Sequence, residues 1–279
     1  MLKCYKPTTI NEVLELRKNY DTTIFSGGTD FMVRYKNISG ANIKCDKYII
    51  FIGHIEELKQ IYIYKDHIKL GSAVTLNFLQ EDKRVPCILR EAISNMASPA
   101  IRNMATLGGN ICNASPAGDT LPVLYALEAL VVLESLYGVR EIPIKEFIIG
   151  PGMINIGNDE VLKYIIIPRF TYNSSLYKKV GTRKADAIAK LSFVGLKDMS
   201  EDGTIKDIRI AFGAVAPKIV KDKEFESELI GRSNREIKAM NIEIIKKYER
   251  HIEPINDQRS TAIYRKRVSL KLLEYFLDN

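Results

Sequence analysis

The sequence predicts an α+β fold in two domains, and three observations support this prediction. The chain has 279 residues, of which 46% are apolar and 27% are charged, so it is long enough for one large or two modest domains. Short strands and helices alternate up to about residue 170. Beyond that point several strands come first and two helices follow, a pattern typical of an α+β unit. We therefore expect one domain over residues 1–170 and a second over residues 171–279.

Apolar spacing and turn residues indicate the elements of the first domain. Thr8 and Thr9 precede apolar residues at near-helical spacing, which predicts a capped helix over residues 10–18. The segment from Ser98 to Asp119 shows no regular period, so we expect irregular structure there. Further helices are expected in TDFMVRYK, after Thr75, from Pro86 and through LPVLYALEA. Strands are expected near residues 23–25, in KYIIFIG, on both sides of Lys65-Asp66, in LVVLES, in REIPI and over 160–167.

The second domain begins with three predicted strands and ends with two predicted helices. The strands lie in SLYKKVGTRK, AKLSFVGLKD and TIKDIRIAFGAVA, with Asp202-Gly203 as a turn. The helices are expected over residues 234–250 and 258–277. The change from alternating strands and helices to strands followed by helices is the basis for the domain boundary near residue 170.

Composition disfavours several classes of protein. The longest apolar run, LYALEALVVLESL, is interrupted by Glu128 and Glu134 and is too short for a membrane helix. The first residues carry no apolar segment before a cleavage site, so we expect no membrane insertion and a cytoplasmic location. The 41 basic and 34 acidic residues give a net charge of +7, which suits an anionic ligand or an acidic partner. Because the basic residues are scattered, a nucleic-acid partner is disfavoured.

The cysteines and histidines show no metal-ligand spacing. The four cysteines (Cys4, Cys45, Cys87 and Cys112) stand far apart, and the three histidines do not cluster with them. Without a C-x-x-C or H-x-x-x-H pair, we expect neither a zinc site nor an iron–sulfur cluster on this chain, and we expect reduced thiols. A cysteine–histidine nucleophile, whose members meet only in space, stays open.

Two glycine pairs are candidate phosphate-binding turns. Gly27-Gly28 in FSGGTDF and Gly108-Gly109 in MATLGGNICNASPAGD each follow a short apolar run, and glycines let a backbone expose successive N–H groups to a pyrophosphate. The alternative is that both pairs are ordinary tight turns. Neither G-x-G-x-x-G nor a P-loop motif occurs there, which disfavours a Rossmann fold and a P-loop. Polar side chains near the second pair are able to bond sugar, ribityl or phosphate oxygens.

Nearly the whole chain resembles the FAD-binding subunits of the molybdenum hydroxylases, such as xanthine dehydrogenase and carbon monoxide dehydrogenase, and most of all those of bacterial xanthine dehydrogenases. The resemblance rests on FSGGTDFMVRYK, IKLGSAVT, ASPAIRNMATLGGNICNASPAGDTLPVLYALEA, YGVREIPIKEF, KVGTRKADAIAKLS and PINDQRSTAIYRK. It implies a two-lobed FAD-binding domain of the vanillyl-alcohol oxidase (PCMH) type over residues 1–170, with a break between the lobes near residue 55. The second domain, over residues 171–279, would be the small α+β domain typical of the carbon monoxide dehydrogenase flavoprotein.

The resemblance assigns FAD contacts to two loops. In the first loop, Gly27, Gly28 and Thr29 would give backbone amides to the FAD pyrophosphate. A carboxylate is unsuited to that dianion, so we expect Asp30 to cap the helix that begins there or to bond a hydroxyl. The first loop comprises Ile24, Phe25, Ser26, Gly27, Gly28, Thr29, Asp30 and Phe31, and the second comprises Thr106, Leu107, Gly108, Gly109 and Asn110.

Four residues outside the loops are also implied. Asp119 would accept a hydrogen bond from a sugar or ribityl hydroxyl, and Leu162 would offer a backbone contact to the adenine or flavin edge. Lys179 would approach the flavin, where a cation stabilises negative charge on the reduced ring; the alternative is an ordinary surface lysine. Met96 stands where some relatives carry an aromatic residue near the adenine, and its thioether is still polarizable. We expect no metal ligand and no catalytic acid or base.

By the same resemblance the chain is an oxidoreductase subunit. Electrons would arrive singly from [2Fe-2S] clusters of a partner subunit and pass from FAD to NAD or another acceptor. The molybdenum cofactor and substrate oxidation would lie on a third subunit, in a heterotrimer or its dimer. The turn at Gly181, Thr182 and Arg183 would form part of the acceptor entrance. A stand-alone flavin reductase of the same fold and a non-enzymatic basic binding module stay open as alternatives.

Overall fold

The computed structural model describes residues 3–35 and 45–279. The strands are β1 (Cys4–Tyr5), β2 (Thr22–Phe25), β3 (Tyr48–Phe51), β4 (Ile61–Ile63), β5 (His67–Gly71), β6 (Leu130–Ser135), β7 (Gly138–Pro143), β8 (Ile148–Gly150), β9 (Met153–Ile154), β10 (Val161–Pro168), β11 (Ser174–Val180), β12 (Leu191–Met199) and β13 (Ile205–Gly213). The α-helices are α1 (Ile10–Asn19), α2 (Thr29–Arg34), α3 (Leu76–Glu81), α4 (Cys87–Ser94), α5 (Pro99–Met104), α6 (Leu107–Asn113), α7 (Thr120–Ala126), α8 (Ile144–Phe147), α9 (Lys223–Glu228), α10 (Asn234–Ala239), α11 (Asn241–Glu249) and α12 (Ala262–Asp278).

The chain forms two compact units, each made of separate stretches of sequence. Unit 1 comprises Met1–Arg84, Ser98–Ala114 and Ala129–Pro168, and unit 2 comprises Val85–Ala97, Ser115–Glu128 and Arg169–Asn279. The predicted boundaries at residues 55 and 170 stay predictions.

Unit 1 contains a small parallel sheet and a larger antiparallel one. The parallel sheet has the order β1-β3-β2, and α1 covers it with Ile10, Val13 and Leu14, which are buried in one cluster with Ile50 and Ile52. The predicted cap of α1 is confirmed, because the Thr9 hydroxyl accepts from the amide of Glu12 at 3.2 Å. The antiparallel sheet has the order β4-β5-β10-β6-β7.

Two short helices occupy part of the segment that was expected to be irregular, so that prediction is wrong. In α5 the Ser98 hydroxyl accepts from the amide of Ile101 at 3.4 Å, and in α6 the Thr106 hydroxyl accepts from the amide of Gly109 at 3.2 Å. These caps satisfy amides that a first helical turn leaves unpaired. The two glycines of α6 made a helix unexpected there, but the Gly108 amide donates to the Ser72 carbonyl at 2.9 Å.

Unit 2 is built on a three-stranded antiparallel sheet, β11-β12-β13, against which α12 lies. Phe193 and Phe276 meet at 5.7 Å between ring centroids in its buried core. The helix expected over residues 234–250 is divided at Met240 into α10 and α11. No helix within residues 3–35 and 45–279 is long and apolar enough to cross a bilayer.

The contact between β12 and α12 predicts the effect of one substitution. A Cβ atom added at Gly195 would lie 2.6 Å from the ring of Phe276, which is only 3% exposed. We expect Gly195→Ala to lower the free energy of unfolding by about 1–3 kcal/mol, the usual cost of overpacking a core. Urea denaturation measures this change. A variant as stable as the unchanged protein would show that α12 does not approach the strand so closely.

Candidate nucleotide-binding site

A cavity of about 970 Å³ in unit 1 lies at the carboxyl ends of the three parallel strands. Lys6 follows β1, Ser26 and Gly27 follow β2, and Gly53 and His54 follow β3, and all five residues line the cavity. Ligands of open sheets with parallel strands bind at this edge, because the chain leaves each strand there in a loop. The location therefore favours a ligand site.

The first predicted loop presents a run of unused backbone donors. None of the amides from Gly27 to Phe31 donates a hydrogen bond to another group in the described part of the chain. Gly28 has φ of +72°, a left-handed conformation that suits glycine, and it begins α2 without a side-chain cap. Consecutive free amides at such a turn form an anion-binding concavity.

Gly27 is required by a close approach of two backbones. A Cβ atom added there would lie 1.9 Å from the carbonyl oxygen of Met104 and 3.0 Å from the Cα of Ala105. The Ser26 hydroxyl accepts from the Thr106 hydroxyl at 3.1 Å across the same contact. The first loop is thus held against the start of α6 by glycine contact and by a hydrogen bond.

The second predicted loop differs from the first, because its amides already have acceptors. The amides of Leu107 and Gly108 donate to Val74 and Ser72 carbonyls at 3.1 and 2.9 Å. Those of Gly109 and Asn110 donate to the hydroxyl and carbonyl oxygens of Thr106. This segment builds the wall that holds the first loop, and its role as a direct ligand contact stays a prediction.

Charged residues that line the cavity are mostly basic. Lys6, Lys59 and Arg84 are cations, and Glu56 is the anion among the lining residues of the described chain. Lys59 pairs with Glu56 at 2.9 Å. The His54 ring donates from Nε2 to the Pro7 carbonyl at 2.7 Å, which fixes that ring. The surplus of positive charge favours an anionic ligand.

Asp119 and Lys179 form a buried ion pair within unit 2. Lys179 donates from Nζ to Asp119 Oδ2 at 2.7 Å and to the Asn95 carbonyl at 2.8 Å. Only 8% of the Lys179 side chain is exposed, so the alternative of an ordinary surface lysine is wrong. Asp119 Oδ1 is buried and has no partner in the described chain. Burial raises the pKa of Asp119 to about 6, although Lys179 opposes the shift.

Other residues of the first loop contact each other or nearby groups, and their contacts with a cofactor stay predictions. Phe25 lies 4.9 Å from the Phe51 ring and 5.3 Å from the Phe31 ring, measured between centroids. The cap predicted for Asp30 is wrong, because α2 already begins at Thr29 and Asp30 lies in its first turn, 3.5 Å from Arg34. Ile24 is a partly buried residue of β2.

Three further candidates are distributed over both units. In unit 1 the Leu162 side chain is buried, and its backbone lies at an irregularity in the pairing of β10 with β6. In unit 2 Met96 is 8% exposed. Arg183, also in unit 2, is exposed and donates to the carbonyls of Ala185 and Asp186. Their contacts with a ligand stay predictions.

Sequence reasoning missed several residues that line the cavity. Lys6, Gly53, His54 and Phe78 belong to no glycine pair and no recognised motif. Lys6, Gly53 and His54 lie just beyond the carboxyl ends of β1 and β3, so the rule that ligands bind at such strand ends would have found them once the parallel order was known. Phe78 carried no such signal, because it lies on a helix.

Comparison with known proteins identifies matches over almost the whole chain. A family model described as FAD binding domain in molybdopterin dehydrogenase matches residues 1–170, and one described as CO dehydrogenase flavoprotein C-terminal domain matches residues 175–279. The glyceraldehyde dehydrogenase medium chain of Sulfolobus acidocaldarius is 29% identical over 93% of this chain and 91% of its own. The xanthine dehydrogenase FAD-binding subunit of Escherichia coli O157:H7 is 29% identical over 80% of this chain and 77% of its own. A structure of carbon monoxide dehydrogenase from Hydrogenophaga pseudoflava aligns with a TM-score of 0.85 and 25% identity, over 98% of this chain and 95% of that one.

The buried ion pair of Asp119 and Lys179 predicts that the stability of the protein depends on pH. With the pKa of Asp119 raised to about 6 from 3.8, the folded state holds more protons than the unfolded chain between about pH 4 and pH 6. The contribution of this group to the free energy of unfolding therefore falls as the pH rises through that range, by up to about 3 kcal/mol.

Asp119→Asn removes the contribution of Asp119 titration to the free energy of unfolding, because the asparagine amide does not titrate. We expect the difference in unfolding free energy between the unchanged protein and the variant to shift by that amount between pH 4 and pH 7, measured with urea at both values. Asp278→Asn, at the exposed end of α12, is the control and should show no shift. A constant difference for Asp119→Asn would contradict the prediction.

Proposed function

Since this chain belongs to the FAD-binding subunits of the molybdenum hydroxylase-type dehydrogenases, we propose that its cavity in unit 1 binds FAD and that the bound FAD relays electrons between partner subunits and an external acceptor. Membership confirms the predicted family and fold class, a FAD-binding domain followed by a smaller C-terminal domain. The chain is a subunit of an oxidoreductase. The electron route and the residues that hold FAD are the proposal.

One observation supports the proposal above the others: the amides from Gly27 to Phe31 have no acceptor in the described chain, and Gly27, the first of these residues, lines the cavity. A pyrophosphate brings several acceptor oxygens and two negative charges. Amides without protein acceptors are able to exchange bonds to water for bonds to such oxygens, and no hydrogen bond within the protein has to break. The residues present therefore fit a dinucleotide phosphate.

The basic lining of the cavity supports the same assignment. Lys6 forms no ion pair in the described chain, whereas Lys59 pairs with Glu56 and Arg84 pairs with Asp82. A partly enclosed basic site concentrates an anionic ligand more strongly than an open surface does.

We assign Asp119 and Lys179 as further contacts of the same cofactor. The unpaired Asp119 Oδ1 is an acceptor for a hydroxyl group, the role expected beside a sugar or ribityl chain. Lys179 is held rigid by its two hydrogen bonds, so its charge has a fixed position. A fixed cation is able to favour negative charge on a neighbouring ring.

When bound, FAD supplies the exchange between one-electron and two-electron steps that the family needs. In our proposal a partner subunit with [2Fe-2S] clusters delivers the electrons, another subunit carries the molybdenum cofactor, and NAD is the acceptor. The assembly would be a heterotrimer or its dimer in the cytoplasm. The acceptor entrance would include Arg183.

The proposal predicts that FAD binding depends on Gly27. The Cβ of Gly27→Ala would overlap the Met104 carbonyl, so the first loop must move and its amides lose their alignment. We expect the FAD affinity, followed by flavin fluorescence during titration, to fall at least about tenfold, a loss of 1.4 kcal/mol. Gly150→Ala is the control, because an added Cβ there meets only Met153 at an ordinary 3.5 Å. A protein that binds no FAD after reconstitution would refute the proposal and favour a non-enzymatic basic module.

The proposed partners predict the composition of the native complex. Purification from the native cells should recover this chain with an iron–sulfur subunit, a molybdenum subunit and FAD, identified by mass spectrometry and metal analysis. That complex should reduce NAD when its substrate is added. Turnover of a substrate by the isolated FAD-loaded chain would favour the stand-alone reductase instead. Reduction of another acceptor but not NAD would correct the acceptor alone.

A further inference from the structure

We infer that Lys197 and Lys238 form a binding site for a dianionic oxyanion, such as a phosphate group, within unit 2. Lys197 belongs to β12 and is only 2% exposed. Lys238 belongs to α10 and is exposed. Neither lysine lines the cavity of unit 1, so the site is independent of FAD.

The side chain of Lys197 points into the core of unit 2. In the central strand of the sheet, Lys197 lies opposite Ser174 of β11 and Ile208 of β13. Alternate residues of a strand share one side of the sheet, so Lys197 is on the side of Gly195, which approaches Phe276 of α12. The Lys197 ammonium lies 5.1 Å from the centroid of the Phe276 ring. A positive charge is thus placed between the sheet and α12.

No carboxylate pairs with Lys197 in the part of the chain that the structure describes. Three other lysines with little exposure each contact at least one: Lys163 contacts Glu57 and Glu134, Lys179 contacts Asp119, and Lys221 contacts Glu226. The ring of Phe276 offers Lys197 a cation–π attraction, which is smaller than the cost of burying an unpaired charge. Lys197 therefore needs an anion that the described residues do not supply.

Lys238 adds a second positive charge at the same place. Within the described ranges it forms no ion pair of its own. Burial lowers the pKa of Lys197, and the charge of Lys238 lowers it as well. Two cations that repel each other destabilise the fold, whereas an anion bound by both reverses the sign of that interaction.

The charges of the two lysines match a phosphate better than a carboxylate. A phosphate ester carries a charge of about −1.5 to −2 near neutral pH, and lysine ammonium groups are common phosphate ligands. A carboxylate has a single negative charge and would leave one lysine uncompensated. Because Lys238 is exposed, a phosphate held beside it keeps contact with solvent.

The test measures urea unfolding by circular dichroism in phosphate and in chloride, at equal ionic strength and at about pH 8, where inorganic phosphate is mostly the dianion. Phosphate at about ten times its Kd should lower the unfolding equilibrium constant of the unchanged protein about tenfold beyond the general salt effect. Lys197→Met keeps the apolar stem but removes the charge, and it should abolish this specific effect. Lys238→Gln, at an exposed position, should fold normally and weaken it.

Lys271→Met is the matched control. Lys271 is an exposed lysine of α12 that already pairs with Glu274, so its loss should leave the whole phosphate effect in place. Equal phosphate effects in the unchanged protein, Lys197→Met and Lys238→Gln would show that phosphate acts only as a salt or in the cavity of unit 1, and would overturn the inference.

Two further comparisons test the charge argument. In chloride, Lys197→Met should unfold at the same or a higher urea concentration than the unchanged protein, because an apolar side chain replaces an unpaired charge. A clearly lower midpoint would show that the ammonium is already compensated within the protein, which contradicts the site. Acetate in place of phosphate should have no effect that depends on Lys197. An equal effect of acetate would overturn the assignment of a dianion.

Discussion

The close approach of the Gly27 backbone to the Met104 carbonyl is the constraint on which the site in unit 1 depends. Any side chain at position 27 would separate the loop after β2 from the connection between α5 and α6. In that connection the Ala105 carbonyl also accepts from the amide of Leu76, the first residue of α3. Three segments distant in sequence are thereby joined around one cavity. Glycine is needed here for space, whereas at Gly28 it is needed for the positive φ.

The two glycine pairs look alike in sequence, but their backbone amides differ in whether they have hydrogen-bond acceptors within the protein. The amides that follow Thr106 are all used within unit 1, so they stabilise the wall of the cavity. The amides of the first loop have no protein acceptors and leave donors for a ligand. An amide that the protein leaves without an acceptor is available to a ligand, so the first loop is the better candidate of the two for binding an anion.

Local sequence patterns predicted most helices and strands, and the elements that were missed depend on tertiary contacts. The helix over residues 10–18 has a cap and a clear apolar face, so its sequence was sufficient. Helix α6 was missed because glycine has low helix propensity, and only the cap at Thr106 and the contact with Ser72 compensate for it. The parallel order of β1, β3 and β2 could not be read from the sequence, and neither could the cavity at their ends.

The burial of Lys179 shows why site residues resist prediction from a pattern. A lysine in a strand with alternating polarity is usually exposed, and nothing near position 179 in the sequence indicates a buried partner. Its partner Asp119 is 60 residues away, and the pair is formed only by the fold of unit 2. Burying both charges costs free energy that two hydrogen bonds offset only in part, and Asp119 Oδ1 remains unpaired. An apolar pair of similar volume would serve stability at least as well. The arrangement is therefore better explained by a ligand that uses the free oxygen than by stability alone.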